Sequence, residues 1–214
     1  MLRTDIFGYE WNLYPHKAAY LPALKTLLAS DLHLGKVNHF RRSGIPLPQA
    51  ANDKNSEVLI DLLQIVKPER FIVLGDLFHS DYNSEWEVFG QIRGHFNQLS
   101  FELVPGNHDV MSKYQYEKND IIIHPEHFKL DNLLLSHDEV DIVPNELVNV
   151  SGHVHPGVQL KGKGRQSVTL PCFYFSERNI LLPAFGMFTG LHRIKPNKKD
   201  KVFVVVDNNV IAIE

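Results

Sequence analysis

The chain has 214 residues, 43% of them hydrophobic and 22% charged, with a formal net charge of −3. That balance excludes a protein held on nucleic acid by bulk positive charge, so any polyanion site must be local. The single cysteine, Cys172, excludes an intrachain disulfide. No apolar run is long enough to span a membrane, and "MLRTDIFGYEWN" has no apolar segment of signal-peptide type. The expectation is one cytoplasmic domain over residues 1–214 with a single core.

In chain order, short apolar runs read as buried strands: "TLLAS" (26–30), "RFIVLG" (70–75), "SFELVP" (100–105), "DIIIH" (120–124), "NLLLS" (132–136) and "LVNVSG" (147–152). Each is rich in Val, Ile, Leu or Phe and ends in polar or turn residues. Two helical patterns lie between them. In "AANDKNSEVLIDLLQIVK" (50–67), Val58, Leu62 and Val66 form a stripe filled in by Leu59 and Leu63, and Pro68 ends it. "SEWEVFGQIRGHF" (84–96) opens with Ser84 and Glu87 at capping-box spacing. Beyond about residue 165 the pattern turns to strands: "SVTLPCF", "NILLPAF", "KVFVVVD" and "NVIAIE". Strands alternating with helices, then a strand-rich end, predict an α/β sandwich.

Five of the strand runs end in Asp, Asn or His. "SDLHLGK" supplies Asp31 and His33, and "GDLFHS" supplies Asp76 and His79. "PGNHDV" supplies Asn107, His108 and Asp109, "SHD" supplies His137, and "GHVHP" supplies His153 and His155. In open α/β sheets, ligands gather at the carboxyl ends of strands. Carboxylate, amide oxygen and imidazole together suit divalent first-row ions, and the lack of thiolate argues against a structural zinc knot. Seven candidate ligands (Asp31, His33, Asp76, Asn107, His137, His153 and His155) are too many for one ion. Two ions about 3.5–4 Å apart are the usual device for displacement at phosphorus. If "HVH" is a strand, His153 and His155 face one side about 6.5–7 Å apart, which suits two ions better than one.

The ordered set "DLH…GD…GNHD…H…GHVH" resembles the calcineurin-like metallophosphoesterase superfamily. The resemblance implies an α/β fold, the four-layer α-β-β-α sandwich, with a binuclear centre at the strand ends. "SDLHLGKVNHFRRSGIPLP", "GDLFHS" and "LPAFGMFTG" are similar to the bacterial ligase-associated DNA damage response endonucleases of PdeM type, over nearly the whole chain. That implies a Mn-dependent phosphodiesterase, with Fe, Ni, Co or Zn as alternatives. It also implies a DNA substrate and a link to DNA ligase and helicase repair proteins.

By that resemblance, Asp31, His33, Asp76 and His155 hold one ion. Asp76, Asn107, His137 and His153 hold the other, with Asp76 bridging. The expected nucleophile is a metal-bridging hydroxide. His108 matches the family's catalytic histidine, assisting the leaving group or the equatorial oxygens, and Asp109 is expected to orient it or to cap a helix. Many members of the wider superfamily have Asp where this chain has His79. The expected role of His79 is a hydrogen bond that orients a metal ligand, the alternative being a surface histidine. Lys36, His39, Arg41 and Arg42 either grip flanking phosphates or form a solvated loop. Trp11 and Trp86 are read as core, and Phe185, Phe188 and Thr189 as cleft lining. Two other functions fit the same motifs: hydrolysis of nucleotides or other small phosphoesters, and a non-catalytic scaffold, which would have no need of His108.

Overall fold

The computed structural model describes residues 1–35, 50–79, 82–162, 164, 166–187 and 189–213, and of residues 50–53 the backbone only. Two sheets face each other. The first is ordered β1 (Leu2–Ile6), β2 (Tyr9–Tyr14), β3 (Ala18–Leu21), β4 (Thr26–Ala29), β5 (Arg70–Leu74), β6 (Ser100–Val104) and β7 (Ile121–Ile123). Its first four strands are antiparallel neighbours, and β4 to β7 run parallel. The second sheet runs β14 (His192–Arg193), β11 (Pro156–Lys161), β12 (Ser167–Phe175), β13 (Asn179–Leu181), β10 (Val148–Ser151), β9 (Leu133–Ser136) and β8 (His127–Leu130). The C-terminal hairpin of β15 (Lys201–Val206) and β16 (Asn209–Ile213) joins it through β12. Within it β9, β10 and β13 are parallel.

Strand alternation divides the core. Leu28, Ile72, Leu74 and Val104 point between the sheets, against Leu133, Leu135, Val150, Phe173, Ile180 and Phe203. Trp11 lies in this layer, edge-on to Phe175, and its indole N–H donates to the Ile6 carbonyl at 3.1 Å. The alternate residues Leu27, Ala29, Phe71, Val73, Phe101 and Leu103 face outward, under the helices Ala50–Val66, Ser84–His95 and Lys113–Lys118. Leu59, Leu62 and Leu63 seat the long helix there, and Trp86, Phe89 and Ile92 seat the next. On the far side of the second sheet, Val158, Cys172, Val202 and Val204 form a small apolar cluster. Among the described residues no helix covers it, so the outer layer of the sandwich is thin on that side. None of the described helices is long and apolar enough to cross a membrane.

The predicted strands and helices stand within a residue or two of their expected bounds, except that "NILLPAF" (179–185) is a strand only over Asn179–Leu181. Other details differ. Asn83, not Ser84, caps the second helix, its side chain accepting from the Glu85 amide at 2.9 Å. The antiparallel strands β1 to β3, the strands β8, β11 and β14, and the short helix Lys113–Lys118 are additions to the reading.

Candidate metal centre

The parallel strands of both sheets aim their carboxyl ends at one seam. A bridge between Ser30 and Ala184 ties the sheets there. The amides of Phe185 and Gly186 donate to the carbonyls of Ser30 and Asp31 at 2.9 and 3.0 Å. Across the seam the His153 amide donates to Asp31 Oδ2 at 3.0 Å. Five of the seven expected ligands (Asp31, His33, Asp76, His153 and His155) have φ between 47° and 58°. This left-handed region disfavours side chains, though Asp and His enter it more readily than most. The expectation of a strand at "HVH" is corrected by it. His153 and His155 lie in the turn between β10 and β11, and the turn sends them to different neighbours.

His155 Nε2 lies 3.1 Å from Asp31 Oδ1, and His33 joins them in a group whose ligand atoms all fall within 4.8 Å. His153 Nδ1 instead lies 3.1 Å from His137 Nε2. Between the two groups stands Asp76. Its Oδ2 is 3.6 Å from His33 Nε2, and its Oδ1 is 3.5 Å from His137 Nε2. Asn107 Oδ1 approaches His137 Nε2 to 3.0 Å. All seven residues read from the sequence thus come together. Asp138 was missed as a neighbour: it groups with His137 and His153, its Oδ1 3.4 Å from His153 Nε2. The signal was the "HD" after β9, of which only the histidine was used.

The donor set fits divalent cations on the chemistry of one ring. His137 Nδ1 is 3.0 Å from the Leu74 carbonyl, an acceptor, so the ring proton sits on Nδ1. Nε2 is then a lone pair, yet it faces the oxygens of Asn107 and Asp76. Acceptors crowded on acceptors are unfavourable without a cation among them. Burial would raise the Asp31 carboxyl, but the adjoining His155 outweighs it and holds Asp31 below the ordinary carboxylate value. Asp31 is thereby kept ionised for a ligand role.

His79 sits as expected of an orienting residue, its Nδ1 3.2 Å from His33 Nδ1. Its ring also lies against that of His108, centroids 4.3 Å apart. His108 is half-exposed at the cleft, with Nε2 4.0 Å from Asp76 Oδ2.

Asp109 departs from its expected part. Its Oδ2 accepts from the amides of Asp76 at 2.8 Å and Gly106 at 2.9 Å, and Oδ1 from Phe78 at 3.3 Å. It binds the two loops that carry Asp76 and Asn107 rather than the His108 ring. It caps no helix either, since the next one starts after Ser112. Burial pushes the Asp109 carboxyl up to about 6, with the charge of Asp76 adding, against the pull of the backbone donors.

Lys36, His39, Arg41 and Arg42 lie outside the described residues, as does Phe188. Phe185 is not cleft lining but core, packed beneath the first sheet's helices. Thr189 donates its hydroxyl to the Gly186 carbonyl at 3.0 Å. The basic residues Lys161, Lys195, Lys198 and Lys199 are exposed, as a solvated surface should be. Beside Asn107 and His137 opens a cavity of about 260 Å³, lined also by Pro105, Glu126, His127 and Asp138.

Carboxylate, amide and imidazole groups, gathered at one seam of a two-sheet sandwich with a half-exposed histidine beside them, define a metal-dependent phosphoesterase. The chain belongs to the calcineurin-like phosphoesterase family, whose model matches residues 24–206. In structure it is similar to the nuclease MPE of Pseudomonas putida, with a TM-score of 0.81, 27% identity and 99% of each chain covered. Among curated proteins none matches it.

Proposed function

We propose that this enzyme is a binuclear phosphodiesterase acting on DNA, with manganese as its working metal. The observation that carries the two-ion reading is Asp76, whose two oxygens face His33 on one side and His137 on the other. Asp31, His33 and His155 would hold one ion, and Asn107, His137 and His153 the other, with Asp76 shared. When bound, such ions supply positive charge for the phosphoryl oxygens and lower the pKa of a water at the site. The chain does the rest. His137 keeps its lone pair forward by donating backward to Leu74. The His108 amide holds Asp76 Oδ1 at 3.0 Å, fixing the bridge. The His108 ring, open to the cleft, donates a proton toward the leaving oxygen. A nucleic-acid substrate is supported by the likeness to a nuclease over 99% of the chain.

Hydrolysis of bis-p-nitrophenyl phosphate and of a labelled oligonucleotide, with Mn after chelation, tests this reading. Both substrates should turn over, and the metal content should reach two per chain. A single ion per fully active chain would overturn the binuclear reading.

The cavity beside Asn107 favours a second reading, hydrolysis of nucleotides or small phosphoesters. Its volume suits a small ester better than a strand, and among the described residues that line it there is no Lys or Arg to hold a polyanion backbone. Faster turnover of a mononucleotide ester than of the oligonucleotide would select it.

A further inference from the structure

We infer that Asp138 is a positioning residue that sets the metal-binding tautomer of His153. The inference rests on the reading that His137 and His153 share a cation. His137 Nε2 is a lone pair, because its Nδ1–H is committed to the Leu74 carbonyl. His153 Nδ1 sits 3.1 Å from that lone pair, and two arrangements are available to it. With its proton on Nδ1, His153 donates to His137. The two rings then close on each other: the His137 pair is taken up by that bond, and the remaining pair of His153, on Nε2, faces Asp138 instead of the shared point. With its proton on Nε2, both lone pairs converge on one point, which is what a cation requires.

Asp138 decides between them. Its Oδ1 lies 3.4 Å from His153 Nε2, and an ionised carboxylate can only accept. At that distance the pair is an electrostatic contact rather than a made hydrogen bond, and the carboxylate's charge favours the form with the proton on Nε2 and Nδ1 free. Carboxylates commonly do this for ligating imidazoles, fixing tautomer and ring orientation together.

The carboxylate itself is 66% exposed, so its placement must come from the backbone. That backbone is held from beneath by buried groups. The Ser136 hydroxyl donates to the Asp138 carbonyl at 2.5 Å and accepts from Asn149 Nδ2 at 2.8 Å. Asn149 Oδ1 accepts from the Val140 amide at 3.1 Å, clasping the turn from its other end. The Gly152 amide donates to the His137 carbonyl at 3.0 Å, so the loops bearing Asp138 and His153 are tied to each other. Ser136 and Asn149 are 1% and 0% exposed. They belong to the support of Asp138.

The test is the ring tautomer of His153, read by long-range proton–nitrogen correlation NMR on the metal-free full chain, paired with Mn titration. In the parent protein and in Asp138→Asn, which keeps an acceptor oxygen, Nε2 should carry the proton. In Asp138→Ala the proton should move toward Nδ1. One Mn ion should then bind about 10–100-fold more weakly, while the other is unchanged. An unmoved tautomer in Asp138→Ala overturns the inference. So does a loss in Asp138→Asn as large as in Asp138→Ala, since that would make the charge a direct ligand. His137→Ala separates the two levels. If it loses no ion, the shared-cation reading has failed. If it loses one while Asp138→Ala behaves as the parent, only the role of Asp138 has.

Discussion

Asp109 holds the backbone of Asp76: its Oδ2 lies 2.8 Å from the Asp76 amide and 2.9 Å from that of Gly106. One carboxylate thus fixes the spacing of the two loops that carry Asp76 and Asn107. Asp109→Ala should loosen both, and a misplacement of about 1 Å can cost about 10²-fold in rate. Asp109→Asn, keeping one good acceptor, should lose much less. Rates of diester hydrolysis and Mn affinity for the two variants decide it. Equal losses would mean that the charge, not the tether, matters.

The same carboxyl gives a pH prediction. Its pKa is raised to about 6, above the ordinary value near 3.8. The folded chain therefore binds this proton more tightly than the unfolded chain does. Stability from this source is fully present below about pH 4 and is lost as pH rises through about 6. Melting of the metal-free protein from pH 4 to 7 should show a decline that Asp109→Asn flattens. A parallel decline in both would assign it elsewhere.

His108→Ala should keep both metal groups, since the backbone amide of residue 108 and not its ring holds Asp76. Turnover should fall about 10²–10⁴-fold, the usual worth of a positioned acid. Metal analysis beside single-turnover rates checks both halves. An undiminished rate would remove His108 from the chemistry.

His153→Ala and His155→Ala should deplete different ions, because one ring meets His137 and the other Asp31. Mixed-metal loading, one ion exchanged in each variant and compared by spectroscopy, distinguishes them. Loss of the same ion in both would join the two histidines to a single site.

Gly75→Ala should disable the site rather than the fold. A Cβ there would fall 2.1 Å from His137 Nδ1, in a backbone at φ 73°. The His137–Leu74 bond must break, and the strained φ costs about 1–3 kcal/mol besides. Weakened Mn binding with a modest fall in melting temperature is the expected pair of results.

The sequence disclosed chemistry better than shape. Short Val/Ile/Leu runs ending in Asp, Asn or His marked β4, β5, β6, β9 and β10, because a strand buried on both faces is apolar throughout. The N-terminal strands were missed because "RTDIFGYEWNLY" mixes polar and apolar residues, as a sheet margin does. Its turn was signalled by Gly8, and Phe7 takes a left-handed φ of 54° beside it. The turn geometry of His153 and His155 had no signal, since only the surrounding fold forces such residues out of the extended region. The work of Asp109 was hidden for a related reason. Its partners are backbone amides, which carry no letter in the sequence.

The seam between Ser30 and Ala184 has a mechanical consequence. Asp31, Asp76 and Asn107 ride on one sheet, and His137, His153 and His155 on the other. Cations held between them would act as rivets across a joint. Pulling the sheets apart would then meet its stiffest resistance at the catalytic edge, and stripping the metal would turn that edge into the hinge.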